Sequence, residues 1–121
     1  MSAPRVLLGN LEPMVRLGMT TVLGESRIDI VGSEERPAAL AQMAGRLRPD
    51  AVVLNLGDAE SRDLGERLRV ASPFTTVVLW ARDEEVMEIV APGTARPRRV
   101  PSPAPGDLCG ELARSQVNRV R

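Results

Sequence analysis

The chain contains no histidine, no lysine and no tyrosine, and among its 121 residues it has one cysteine, one tryptophan and one phenylalanine. A lone Cys109 excludes an internal disulfide, and the lack of histidine removes the usual cytosolic zinc arrangements. Without histidine there is no Ser-His or Cys-His nucleophile pair. No carboxylate pair stands at a useful spacing and no glycine-rich phosphate loop follows a strand, so neither an enzyme nor a cofactor is expected. No stretch approaches the roughly 18 consecutive apolar residues of a membrane span. The start, Met1-Ser2-Ala3-Pro4-Arg5, leads directly into an apolar run without a secretory signal pattern, and a cytoplasmic location is expected.

Net charge is missing too. Sixteen arginines balance sixteen acidic residues, which argues against a free-standing nucleic-acid binder, because counterion release rewards a clustered basic excess. The charge is unevenly spread. Residues 50–95 carry nine acidic and four basic side chains, whereas residues 96–121 carry six arginines against Asp107 and Glu111. This reads either as ordinary solvated faces or as a basic face that self-associates with an acidic one.

What is present is a repeated alternation of strand and helix. Arg5-Val6-Leu7-Leu8-Gly9 predicts a central strand, followed by a helix over 13–24 that opens on Pro13 and buries Val15, Met19, Val22 and Leu23 before stopping at Gly24. Residues 28–32 predict a second strand and 36–48 a second helix, with Leu40, Met43, Ala44 and Leu47 on one face. Ala51-Val52-Val53-Leu54-Asn55-Leu56 is apolar on both faces, as a central parallel strand should be. A helix over 62–71 using Leu64 and Leu68, a strand over 75–80 and a short helix over 83–90 follow. The proline-rich stretch 92–105 holds Arg98-Arg99-Val100 as a weak, edge-like fifth strand. A last helix opens at Pro105-Gly106-Asp107-Leu108, with Cys109 packed on it as a small apolar residue. Five β-α units in one domain point to a doubly wound, parallel, five-stranded sheet with flavodoxin-like strand order 2-1-3-4-5.

Residues 4–115 resemble a response-regulator receiver domain of the NarL/FixJ type. The resemblance rests on Arg5–Leu8 followed by Pro13-Met14-Val15-Arg16-Leu17-Gly18-Met19, on Ile30-Val31-Gly32, on Leu47-Arg48-Pro49-Asp50-Ala51-Val52-Val53-Leu54 and on Thr76-Val77-Val78-Leu79. It implies two magnesium-binding acids after the first strand, a phosphoryl-accepting aspartate ending the third, a hydroxyl residue after the fourth and a lysine after the fifth. Here Asn10, Leu11, Asn55 and Trp80 stand at those positions, Pro101 occupies the region of the lysine, and the chain has no lysine to supply. An amide is a far weaker nucleophile than a carboxylate, and Leu11 offers magnesium no oxygen. The resemblance therefore implies a degenerate phosphorylation pocket, as in atypical receivers of actinomycete antibiotic-cluster regulators. Gly57 keeps only a backbone carbonyl, and Glu12 and Asp58 are the remaining acids near that end.

Two functions are compatible with such a pocket. One is a phosphorylation-independent pseudo-receiver that acts through homodimerisation or contacts with a helix-turn-helix domain, with Gln116–Arg121 standing about where a linker to that domain begins in such proteins. Its dimer surface would use Met14, Leu17 and Thr21 on the first helix, with Leu112 and Val117 on the last. The other is a sensor in which Asn10, Glu12, Asn55, Gly57, Trp80 and Ala81 bind a small aromatic metabolite, the indole stacking and the amides bonding its rim. Against this, Trp80 could simply fill the vacated pocket.

Overall fold

The computed structural model describes residues 3–57, 59–81, 86–94, 96–101 and 105–120, with the backbone alone for 105, 106 and 117–120. Six strands and four helices lie among them: β1 (Arg5–Leu8), α1 (Pro13–Glu25), β2 (Asp29–Ser33), α2 (Pro37–Leu47), β3 (Ala51–Asn55), α3 (Ala59–Ala71), β4 (Thr76–Trp80), β5 (Val86–Val90), β6 (Arg98–Pro101) and α4 (Pro105–Val120). The strands form one sheet in the order β2-β1-β3-β4-β5-β6.

β2, β1, β3 and β4 pair in parallel, with Val6 opposite Ala51 and Val52 opposite Val77. Alternating side chains feed two cores. Val53 and Val78 join Met19 and Leu23 of α1 and Leu108 and Leu112 of α4 on one face of the sheet. Val52, Leu54 and Val77 join Leu40 and Ala44 of α2 and Leu64 and Leu68 of α3 on the other. The result is an α/β three-layer arrangement around strands that are buried on both faces.

The far half of the sheet corrects the expectation of an all-parallel five-stranded sheet. Residues 86–90 form strand β5, antiparallel to β4, where a helix over 83–90 is expected from the sequence. Val86-Met87-Glu88-Ile89-Val90 carries β-branched residues and a period of two. Met87 and Ile89 enter the α1/α4 core, while Glu88 and Val90 face the α3 side. Residues 82–85 lie outside the described part. β6 is the edge strand, as its flanking prolines suggest, but it pairs antiparallel with β5 instead of lying beside β4.

Ion pairs join this antiparallel extension to the helices. Glu88, almost fully buried, receives Arg62 of α3 at 3.0 Å and Arg99 of β6 at 3.7 Å. On the opposite face Arg98 meets Glu111 of α4 at 2.6 Å, and that carboxylate raises the guanidinium pKa further above its ordinary value. At the other edge the β1–β2 register slips between Val6 and Leu7, leaving Val31 as a bulge. α1 runs one residue past Gly24, and Arg27 takes the left-handed backbone conformation that closes the turn.

Candidate functional site at the carboxyl end of the sheet

The chain leaves β1 through Gly9, whose backbone N–H donates to Val53 O at 2.9 Å. The approach is close enough that a Cβ on Gly9 would lie 2.5 Å from Leu54 Cδ2. Asn10 then spans three elements. Its Oδ1 accepts from the backbone N–H of Asn55 at 3.1 Å, and its Nδ2 donates to the Oγ of Ser61, fully buried on α3, at 2.8 Å. Both ends of the amide are thus used to tie the β1–α1 loop to β3 and α3. Ser61 carries no sequence signal, since a serine early in a polar helix reads as a solvated or capping residue.

Leu11 is turned into the protein interior. It is only 4% exposed and packs in the α1/α4 core with Leu8, Trp80, Met87 and Leu108. Arg16 holds the loop above it, its Nη2 donating to Leu11 O at 3.1 Å and to Glu35 Oε1 at 2.8 Å. Glu34, also at this end of the sheet, accepts from Arg36, which keeps its carboxyl below the ordinary carboxylate range.

Trp80 closes the same core. It is in register with Asn55 across the β3–β4 ladder, its carbonyl accepts from Leu56 N–H at 3.1 Å, and its side chain is 9% exposed. Its indole Nε1 is buried without a hydrogen-bond partner, and the Asn55 side chain is half-buried beside it. Ala81 is half-buried, Gly57 is exposed, and Glu12 is exposed at the N-cap of α1 without a capping side-chain bond.

The structure therefore gathers Asn10, Leu11, Asn55 and Trp80, but not Pro101. β5 intervenes between β4 and β6, so Pro101 stands two strands from Trp80 and exposed, roughly 10 Å away by ordinary strand spacing. Among the expected dimer residues, Met14 and Leu17 are 73% and 67% exposed and Thr21 is exposed, but Leu112 is fully buried. It faces the sheet because it shares the core-facing stripe of α4 with Leu108 at the i, i+4 spacing. The side chain of Val117 and all of Asp58 lie outside the described residues. Cys109 is half-buried and packs against the α1/α4 core. Gln116 to Val120 continue α4.

No family model matches this chain, and no curated protein matches it.

Proposed function

We propose that this chain is a phosphorylation-independent pseudo-receiver, the regulatory part of a cytoplasmic transcriptional regulator, acting through self-association or contact with a DNA-binding domain. The order β2-β1-β3-β4, with α1 and α4 on one face and α2 and α3 on the other, supports a flavodoxin-like ancestry in which the last β-α unit was rebuilt as an antiparallel extension. No described helix is long and apolar enough to cross a membrane.

The carrying observation is the Asn10 bridge beside a buried Leu11. Where the resembled family holds a metal and a phosphoryl group, these side chains are committed to tying a loop down and filling a core. Incubation with acetyl phosphate and magnesium is expected to leave the intact mass unchanged, and an added phosphoryl mass sinks the proposal. Sedimentation across a concentration series is expected to show a dimer, for which the Met14, Leu17 and Thr21 stripe of α1 is one candidate surface.

A second reading is a sensor of small aromatic metabolites. Trp80 Nε1 supports it, since a buried donor without a partner costs about 1–3 kcal/mol that an acceptor on a ligand would recover. Titration with a planar probe such as anthraquinone-2-sulfonate is then expected to quench Trp80 and raise the melting temperature. Unchanged emission eliminates this reading.

A further inference from the structure

β6 is the least buried of the described strands. Arg98, Arg99 and Pro101 are exposed, and only Val100, half-buried, packs against the α1/α4 core. Its neighbour β5 differs, since Met87, Glu88 and Ile89 are all buried. Pro101 has no N–H to give the ladder, and Pro97 stands just before the strand. So little apolar burial leaves charge to hold β6 in place.

Successive strand residues point to opposite faces of a sheet. Arg98 accordingly reaches Glu111 of α4 through two hydrogen bonds of 3.2 and 2.6 Å, while Arg99 reaches Glu88 on the α3 side at 3.7 Å. Both carboxylates are buried. Each also has a second arginine, from a helix: Arg62 of α3 lies 3.0 Å from Glu88, and Arg114 of α4 lies 3.9 Å from Glu111. Stranding a buried carboxylate without a partner is strongly unfavourable. Withdrawing β6 does not strand one, because Arg62 and Arg114 stay behind.

We propose that β6 is a detachable strap, latched across β5 by the Arg98–Glu111 and Arg99–Glu88 pairs, which opens as a unit while the other five strands stay folded. Local opening is easiest where buried apolar contacts are few and backbone hydrogen bonds lie near solvent. In the open state β5 becomes the edge of the sheet, and Arg98 and Arg99 become free cations. Ionic strength sets the balance between the two states, since both latching arginines are exposed and salt screens their attraction. The strap uses neither the Asn10 end of the sheet nor α1, so it stands apart from the function proposed above.

Amide hydrogen exchange followed by NMR tests it. Alternate residues of β5 direct their N–H groups to β6 and to β4, so one strand carries both probe and control. The β6-directed amides are expected to exchange about tenfold faster than the β4-directed ones, or more. Raising NaCl from about 0.05 to about 1 M should speed them about threefold or more; this series needs no substitution. The variant Arg98→Gln/Arg99→Gln, with Trp80 emission reporting its folding, should speed them about tenfold at low salt, lose the salt response and leave β3 amides unchanged. Equal exchange at the two sets of β5 amides overturns the proposal. So does a fast β6-directed set that ignores salt, or a double variant that speeds β3 and β5 alike.

Discussion

Replacing Leu11 by aspartate restores the residue type that the family resemblance leads one to expect there, and the structure predicts that it harms the protein. Leu11 is 4% exposed among Leu8, Trp80, Met87 and Leu108. Losing a leucine's packing costs about 2–5 kcal/mol, and a carboxylate among apolar side chains adds a desolvation penalty. Partial escape of the loop toward water limits that second contribution, so Leu11→Asp is expected to cost about 4 kcal/mol, against total stabilities of about 5–15 kcal/mol. Urea unfolding followed by Trp80 emission should show the midpoint lowered by roughly 2–3 M. The introduced carboxyl is held neutral more readily folded than unfolded, so its folded pKa lies above the unfolded value. The variant should therefore lose stability as pH rises through that window and recover toward about pH 4. Leu11→Met, which conserves volume, should cost less than about 1.5 kcal/mol, and millimolar magnesium should leave Leu11→Asp unimproved. An aspartate variant as stable as wild type, or one that magnesium stabilises, refutes the reasoning, because either result means that position 11 faces a site and not the core.

Gly9→Ala should destabilise by about 1–3 kcal/mol, since its Cβ would meet Leu54 and Leu40 side chains at 2.5 and 2.9 Å; Gly18→Ala, with nothing within 4 Å on an exposed part of α1, should stabilise by about 0.5–1 kcal/mol, and chemical denaturation measures both. Glu88→Gln leaves Arg62 and Arg99 without their shared carboxylate, but both arginines reach solvent, so the loss should be about 1–2 kcal/mol, below the full cost of breaking a buried pair. It should appear as faster amide exchange in β5 and β6. Glu34 should titrate below the ordinary carboxylate range by NMR, because Arg36 stabilises its charged form. The small stabilisation from that pair is present above the ordinary carboxylate pKa and lost as pH falls through the lowered one, and Arg36→Gln should move the midpoint up only part of the way, because the backbone N–H groups of residues 35 and 36 still donate to the Glu34 carboxylate.

The half of the fold that carries the Asn10 and Asn55 end was legible because burial there follows simple periodicities. Val52, Val53 and Leu54 are apolar on both faces and lie in the middle of the sheet, and Leu64 with Leu68, or Leu40 with Ala44, mark helix faces directly. The stretch 86–90 was not legible in the same way. Five residues span little more than one helical turn, so the same letters fit a helix or a strand, and only pairing with β4 and β6 decides between them. That one decision also moved Pro101 out of the site and gave Glu88 its two arginines. Asn10 and Asn55 were recognisable as positions, but their use was not. Which atom the Asn10 amide bonds depends on Ser61, fifty-one residues later, and Leu112 looked like a surface residue only because its partner face on the sheet is remote in sequence.

The bulge at Val31 and the prolines bordering β6 have a consequence for crowded conditions. A sheet with two free edges is a template for strand-by-strand growth into aggregates. Here β2 carries its register slip on one side, while on the other β6 is four residues long, ends in Pro101 and has Pro97 just before it. Neither edge offers the long, straight row of backbone groups that an incoming strand needs. Strand-by-strand growth of this sheet into continuous fibres is therefore disfavoured at both ends.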